Sequence, residues 1–142
     1  MRMLKIMAIG LGLILSSALL AEGLPRSSSA EGAQVYFISP ADGAVVKNPV
    51  KVVFGLKGMG VSPAGIEKAN TGHHHLLIDV DNIATDRPIG KDEQHRHFGG
   101  GQTETTVELS PGKHNLQLLL ADHLHIPHNP PVMSEKITIT VE

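Results

Sequence analysis

Segments in which apolar and polar residues alternate, clusters of Pro, Gly, Asp and Asn between them, and no stretch with helical periodicity beyond two turns predict an all-β protein. The arrangement they predict is an antiparallel β-sandwich of six to eight strands with long histidine-bearing loops. A strand sends successive side chains to opposite faces, so period two is the pattern of a sheet with one buried face.

The chain opens differently. Arg2 and Lys5 precede an apolar run over residues 6–20, with small residues at Ala21 and Gly23, the arrangement of a secretory signal cleaved near residues 21–23. Retention of the run as an anchor is the alternative, because it is only slightly short for a membrane span. An exported, periplasmic protein with no membrane attachment after cleavage is therefore expected. Residues 24–34 are rich in Ser, Gly and small side chains and read as a flexible leader, which leaves 35–142 as the folded domain.

Residues 35–38 are a β-branched and aromatic run that ends at the turn Ser39-Pro40-Ala41-Asp42-Gly43. Val50, Val52 and Phe54 share one face of the next strand. Residues 58–72 hold four glycines and Pro63 and read as a long loop with a single helical turn at 66–69. A strand follows over 74–80. Residues 81–101 form a second excursion that ends in the hinge Gly99-Gly100-Gly101. Thr103 to Leu109 alternates again, Ser110-Pro111-Gly112 turns the chain, and residues 114–120 are apolar enough on both faces to form a central strand. Ile137, Ile139 and Val141 close the domain. Six or seven strands at these spacings suit an immunoglobulin-like or cupredoxin-like sandwich.

Composition narrows the function. Without Arg2, Lys5 and Glu22 the mature chain keeps ten basic and thirteen acidic residues, with no patch suited to nucleic acid. Trp is absent and aromatics are scarce, so base or sugar stacking has no platform. With no cysteine there is neither a disulfide framework nor a thiolate ligand. Histidine is the exception: nine lie between His73 and His128, against about two or three expected from average usage.

The histidines fall into three clusters, His73-His74-His75, His95 with His97, and His123 with His125 and His128, while His114 stands apart. Each cluster contains an H-x-H pair at a junction of strand and loop. In a strand such a pair places two imidazoles on one face, so His73 and His75 point together, and His74 points away, either into the sandwich or to a supporting place beside the site as an additional candidate. If the loops converge at one end of the sandwich, His73, His75, His95, His97, His123, His125 and His128 form a metal site. Its loss would be expected on changing His73, His75, His97 or His125. Imidazole suits copper, zinc and nickel, and Asp79 and Asp122 stand near enough in sequence to ligate or to accept a ring N–H. Met59 and Met133 offer thioethers, which favour Cu(I). Export, these methionines and the high affinity of copper for nitrogen donors favour copper, as Cu(II) with a role for Cu(I), over zinc. His114 is in phase with Leu116, Leu118 and Leu120 and reads as a structural histidine.

Catalysis is not expected. No G-x-S-x-G, H-E-x-x-H or phosphate loop is present, and a cupin-like pairing of His73-x-His75 with Asp79 and His114 departs from that pattern at Asp79, where a Glu belongs.

Gly72-His73-His74-His75-Leu76-Leu77-Ile78-Asp79, His97-Phe98-Gly99 with Gly101-Gln102-Thr103-Glu104, and residues 111–118 running on to Asp122-His123 resemble an exported bacterial family of domains of unknown function, DUF4399, over about residues 35–141. A looser similarity, through residues 38–44 leading into 50–54, is to copper-resistance C-type periplasmic copper carriers. It implies fold and compartment only, because the N-terminal histidine of their site has no counterpart here. Carriage, buffering or delivery of a metal ion to a periplasmic receiving protein is the function expected. The alternative is a non-metal interaction module of the cell envelope with a histidine-rich, pH-responsive surface.

Overall fold

The structure is a computed structural model that describes residues 23–142, so the signal-peptide assignment for 1–23 lies, apart from Gly23, outside the described residues. Among the described residues there are nine strands: β1 Gln34–Ser39, β2 Val45–Val46, β3 Val50–Lys57, β4 Gly60–Val61, β5 Thr71–Ile78, β6 His95–His97, β7 Glu104–Val107, β8 Gly112–Ala121 and β9 Ile137–Val141. They form two sheets: β1-β3-β7, and β2-β9-β8-β5-β4 with β6 also pairing β5. The protein is all-β and sandwich-like, as the alternation predicts. The count exceeds the predicted eight because β2 and β4 are two-residue pairings. Those two pairings, β2 with β9 and β4 with β5, are parallel, whereas the longer ladders are antiparallel.

The inward faces meet in one core. Val35 of β1, Val50, Val52 and Phe54 of β3 and Val107 of β7 pack against Leu76 and Ile78 of β5, Leu116, Leu118 and Leu120 of β8, and Ile137, Ile139 and Val141 of β9. Each such side chain contributes about 1.5–3 kcal/mol through its burial, so the alternating apolar set fixes which face of every strand turns inward.

The larger sheet is also buried on its outer face. Leu77, Leu119 and Ala121, out of phase with the main core, pack with Ile89 under a cover that includes Val80 and Ile83. That cover comes from the excursion at residues 79–94, to which the excursion at 122–128 is tied by the Ile89 amide donating to the His125 carbonyl. Every residue of β5 after Thr71 is consequently buried. β8 lies between β5 and β9, the central place its two apolar faces require.

Two expectations for local structure change. Residues 66–69 form no helix; the Ile66 amide donates to the Pro63 carbonyl at 3.3 Å in a turn that leads into them. The leader is docked rather than free. The Ser29 amide donates to the Asn129 carbonyl at 3.2 Å and the Asn129 amide to the Ser27 carbonyl at 2.9 Å. Arg26 adds donors to the Pro127 and His128 carbonyls. Small polar side chains predict mobility only where the backbone lacks partners, and here residues 127–129 supply them.

Candidate metal centre

The outer face of β5 builds the centre. His73 and His75 project from it, two residues apart, and are 0% and 1% exposed. Register then recruits β6: His75 pairs with His97, so the two rings stand side by side with centroids 5.1 Å apart. The space for the His97 imidazole exists because residue 99 is glycine. A Cβ there would lie 2.3 Å from Cε1 and 2.6 Å from Nε2 of that ring.

His125 arrives from the excursion after β8 and adopts φ 64°, a left-handed conformation that a side-chain-bearing residue enters only when its surroundings impose it. Asp122 imposes it. Its carbonyl accepts the His125 amide at 2.9 Å, and its Oδ1 accepts the amides of Leu124 and Ile126 at 2.9 and 3.0 Å. The His125 carbonyl is held from the other excursion by the Ile89 amide at 2.8 Å.

Four imidazoles thus converge. One ring nitrogen from each of His73, His75, His97 and His125 lies within 4.8 Å of all the others. A four-nitrogen shell with bonds of about 2.0–2.1 Å separates its nitrogens by about 3.3 Å when tetrahedral, and by about 2.9 and 4.1 Å when square planar. His73 Nε2 lies 3.0 Å from His75 Nε2 and 3.1 Å from His125 Nδ1, inside that range.

Hydrogen bonding alone does not satisfy this arrangement. A neutral imidazole nitrogen has either one hydrogen or one lone pair, so His73 Nε2 cannot make both of its close contacts as full hydrogen bonds. His97 Nε2 and the Nδ1 atoms of His73 and His75 are buried with no partner at all. A cation at the convergence point would take the Nε2 lone pairs of His73 and His75, which face each other at 3.0 Å, while their Nδ1 atoms would carry the protons.

Electrostatics keep the rings in the form a metal needs. Burial, followed by the neighbouring His125 and His97, pushes the His73 pKa down to about 4. Burial and then His73, His97 and His125 push that of His75 down to about 2. His97 is lowered by burial, His125 and Lys91. Protons and metal ions compete for the same lone pairs, and a site that refuses protons is open to the metal.

The remaining candidates lie elsewhere. His95 shares the outward face of β6 but pairs with Leu77 rather than with a histidine, and its Nδ1 is 2.8 Å from Asp92 Oδ1. His123 faces Glu67, 4.0 Å away. His128 is buried with its Nε2 donating to the Thr71 carbonyl at 3.1 Å, so its place in the expected seven-histidine site is structural. His95 is displaced along β6 to the position opposite Leu77, and His123 and His128 turn to other partners than His125 does. The site also sits on the outer face of the larger sheet, under the excursions, rather than at an end between the sheets.

His74 points away from its neighbours, as alternation requires. Its ring packs on Phe54 in the main core with centroids 5.0 Å apart, and neither nitrogen has a partner. Asp79 does not support the tetrad: its Oδ2 is 2.6 Å from His114 Nδ1 and its Oδ1 accepts the Asn115 amide. His114 is the structural histidine expected, although half-buried at the end of β8. Met59 packs against the inter-sheet core and Met133 lines a groove beside β1, so neither thioether reaches the four rings. Asp122 acts through the backbone and not as a ligand. The contribution of Gly99 escaped the sequence reading, where the Gly triplet reads as a hinge; its proximity to His97 was the available signal.

The family model for a domain of unknown function, DUF4399, matches residues 52–142. The chain belongs to this family. The match spans β3 to β9 and so contains all four histidines of the tetrad, while β1 and β2 precede it. No curated protein and no solved structure matches the chain, and the likeness to copper-resistance C-type carriers rests on the short N-terminal motif alone. For the DUF4399 domain the site geometry is therefore the principal guide to function.

Proposed function

We propose that this DUF4399 domain is a transition-metal binding protein of the cell envelope that holds one ion through His73, His75, His97 and His125. The observation that supports it is the convergence of four imidazoles, two buried and two half-buried, with nitrogens within 4.8 Å of one another and too few hydrogen-bond partners. Ring nitrogens left without a partner at the convergence point cost about 1–3 kcal/mol each, a cost that coordination would offset at those atoms. All-nitrogen donation and the order of divalent affinities favour Cu(II), with zinc the alternative. Carriage, buffering or delivery to a metal-receiving partner suits the signal-like N-terminus and calls for no catalytic step.

The test is direct. The protein is expressed without an affinity tag, exposed to Cu(II) or Zn(II), freed of excess ion and analysed for bound metal. One ion per chain is expected, and a stoichiometry near zero rejects the proposal. Alanine at any tetrad position should lower affinity by about tenfold or more, whereas alanine at His95 or His123 should leave it within about twofold. Equal affinity across all these variants would place the metal elsewhere.

A further inference from the structure

The tetrad is closed on one side and open on the other. His73 forms its floor, fully buried, while His97 and His125 are half-buried. A cleft of about 290 Å³ reaches it, lined by His75, His97, His125, Ile89, Gly90 and Lys91. Water takes about 30 Å³ per molecule, so this volume has room for a small ligand together with its hydration.

Charge decides what that ligand is. Four imidazoles contribute no negative charge, and Lys91 adds a positive one at the mouth. The carboxylate of Asp122 is already engaged by the Ser27 hydroxyl at 2.8 Å and by the amides of Leu124 and Ile126. That of Asp92 accepts from Gln94 and contacts His95. The charge of Asp122 still bears on His73 but is shared with those donors, so a divalent ion beside Lys91 keeps a net positive charge in a half-buried site, and uncompensated charge in such surroundings is costly. Among the described residues no carboxylate lines the cleft.

Building on the metal-binding reading, we propose that the ion keeps a coordination position open toward this cleft and takes there a small monovalent anion, with Lys91 supplying the second positive contact. The site is then an anion-accepting metal centre. The bond formed is a simple donation from the anion to the metal, displacing water, with no change in oxidation state.

Azide is the probe. The protein is loaded with Cu(II), freed of excess, and checked for one copper per chain; sodium azide is then titrated while the azide-to-copper charge-transfer absorption and the electron paramagnetic resonance spectrum are followed. Saturable binding of one azide per copper is expected. Lys91→Gln should keep the copper stoichiometry and weaken azide binding about fivefold, the effect of removing one nearby charge. Copper bound at one per chain with no spectral response to azide would overturn the open position alone, and an unchanged azide affinity in Lys91→Gln would overturn the role of the lysine. Failure to bind copper or zinc at all would instead remove the metal reading on which this one rests.

Discussion

The His125 amide donates to the Asp122 carbonyl at 2.9 Å, and the Asp122 carboxylate in turn holds the amides on either side of His125, those of Leu124 and Ile126. The loop is thereby closed around a left-handed histidine whose ring enters the tetrad. Asp122→Ala should remove this clamp and leave a buried amide unpaired at Ile126, costing about 2 kcal/mol in urea unfolding. Metal affinity should fall about tenfold or more, because the ring loses its orientation. Ser27→Ala removes one partner of the same carboxylate and should show a smaller loss of both. An Asp122→Ala variant with unchanged metal affinity would mean that His125 is positioned by its ring contacts alone.

Gly99 gives a test at a second position. A methyl group at residue 99 must displace either the His97 ring or the backbone, and the ring is the more easily moved. Gly99→Ala should therefore weaken metal binding about tenfold while costing about 1 kcal/mol or less in stability, given its ordinary backbone angles. Calorimetric titration with the metal, paired with thermal unfolding, separates the two effects.

His74 should behave in the opposite way to its neighbours. Both of its ring nitrogens are buried against Phe54 without partners, so the ring carries a desolvation cost that an apolar side chain avoids. His74→Leu is expected to stabilise the protein by about 1 kcal/mol, seen as a higher urea midpoint, with metal stoichiometry unchanged. A loss of metal in this variant would assign His74 to the centre.

The metal-free protein should be acid-sensitive. Burial holds the pKa of His73 and His74 down to about 4 and that of His75 to about 2, whereas in the unfolded chain each sits near 6.5. Below pH 6.5 the unfolded state takes up protons that the folded state refuses, so stability falls as the pH drops from 6.5 toward 4. Urea midpoints at pH 7, 6 and 5 should decline in that order. A flat profile would show that the rings protonate without unfolding.

His114 has the opposite sign. Burial alone would lower its pKa, but the Asp79 carboxylate and the Ser110 carbonyl more than offset that and raise it. The stability it contributes is complete below pH 6.5 and is lost as the pH rises through the folded value. His114→Ala should thus cost about 1–2 kcal/mol at pH 6 and less at pH 9. The measurement is a pair of urea titrations, with metal binding unaffected in both.

Much of the fold was legible because it rests on local periodicity. Val50, Val52 and Phe54, or Ile137, Ile139 and Val141, declare a buried face without reference to any partner. The short strands β2 and β4 did not, since a two-residue pairing has no period; they exist because β9 and β5 offer free edges. The docking of the leader was equally invisible, for it depends on main-chain groups at 127–129 that composition does not describe.

Of the centre, the sequence by itself determined the supply of imidazoles and the opposition of His74 to His73 and His75, because alternation along a strand is a property of the chain alone. Only the tertiary structure decided which of the other histidines join them. The pairing of His75 with His97 sets one, and the Asp122 clamp that holds His125 sets the other, while His95, His123 and His128 turn to other partners. Ring direction in a loop follows from hydrogen bonds to distant backbone, and those bonds form only after the two excursions have folded over the outer face of the sheet.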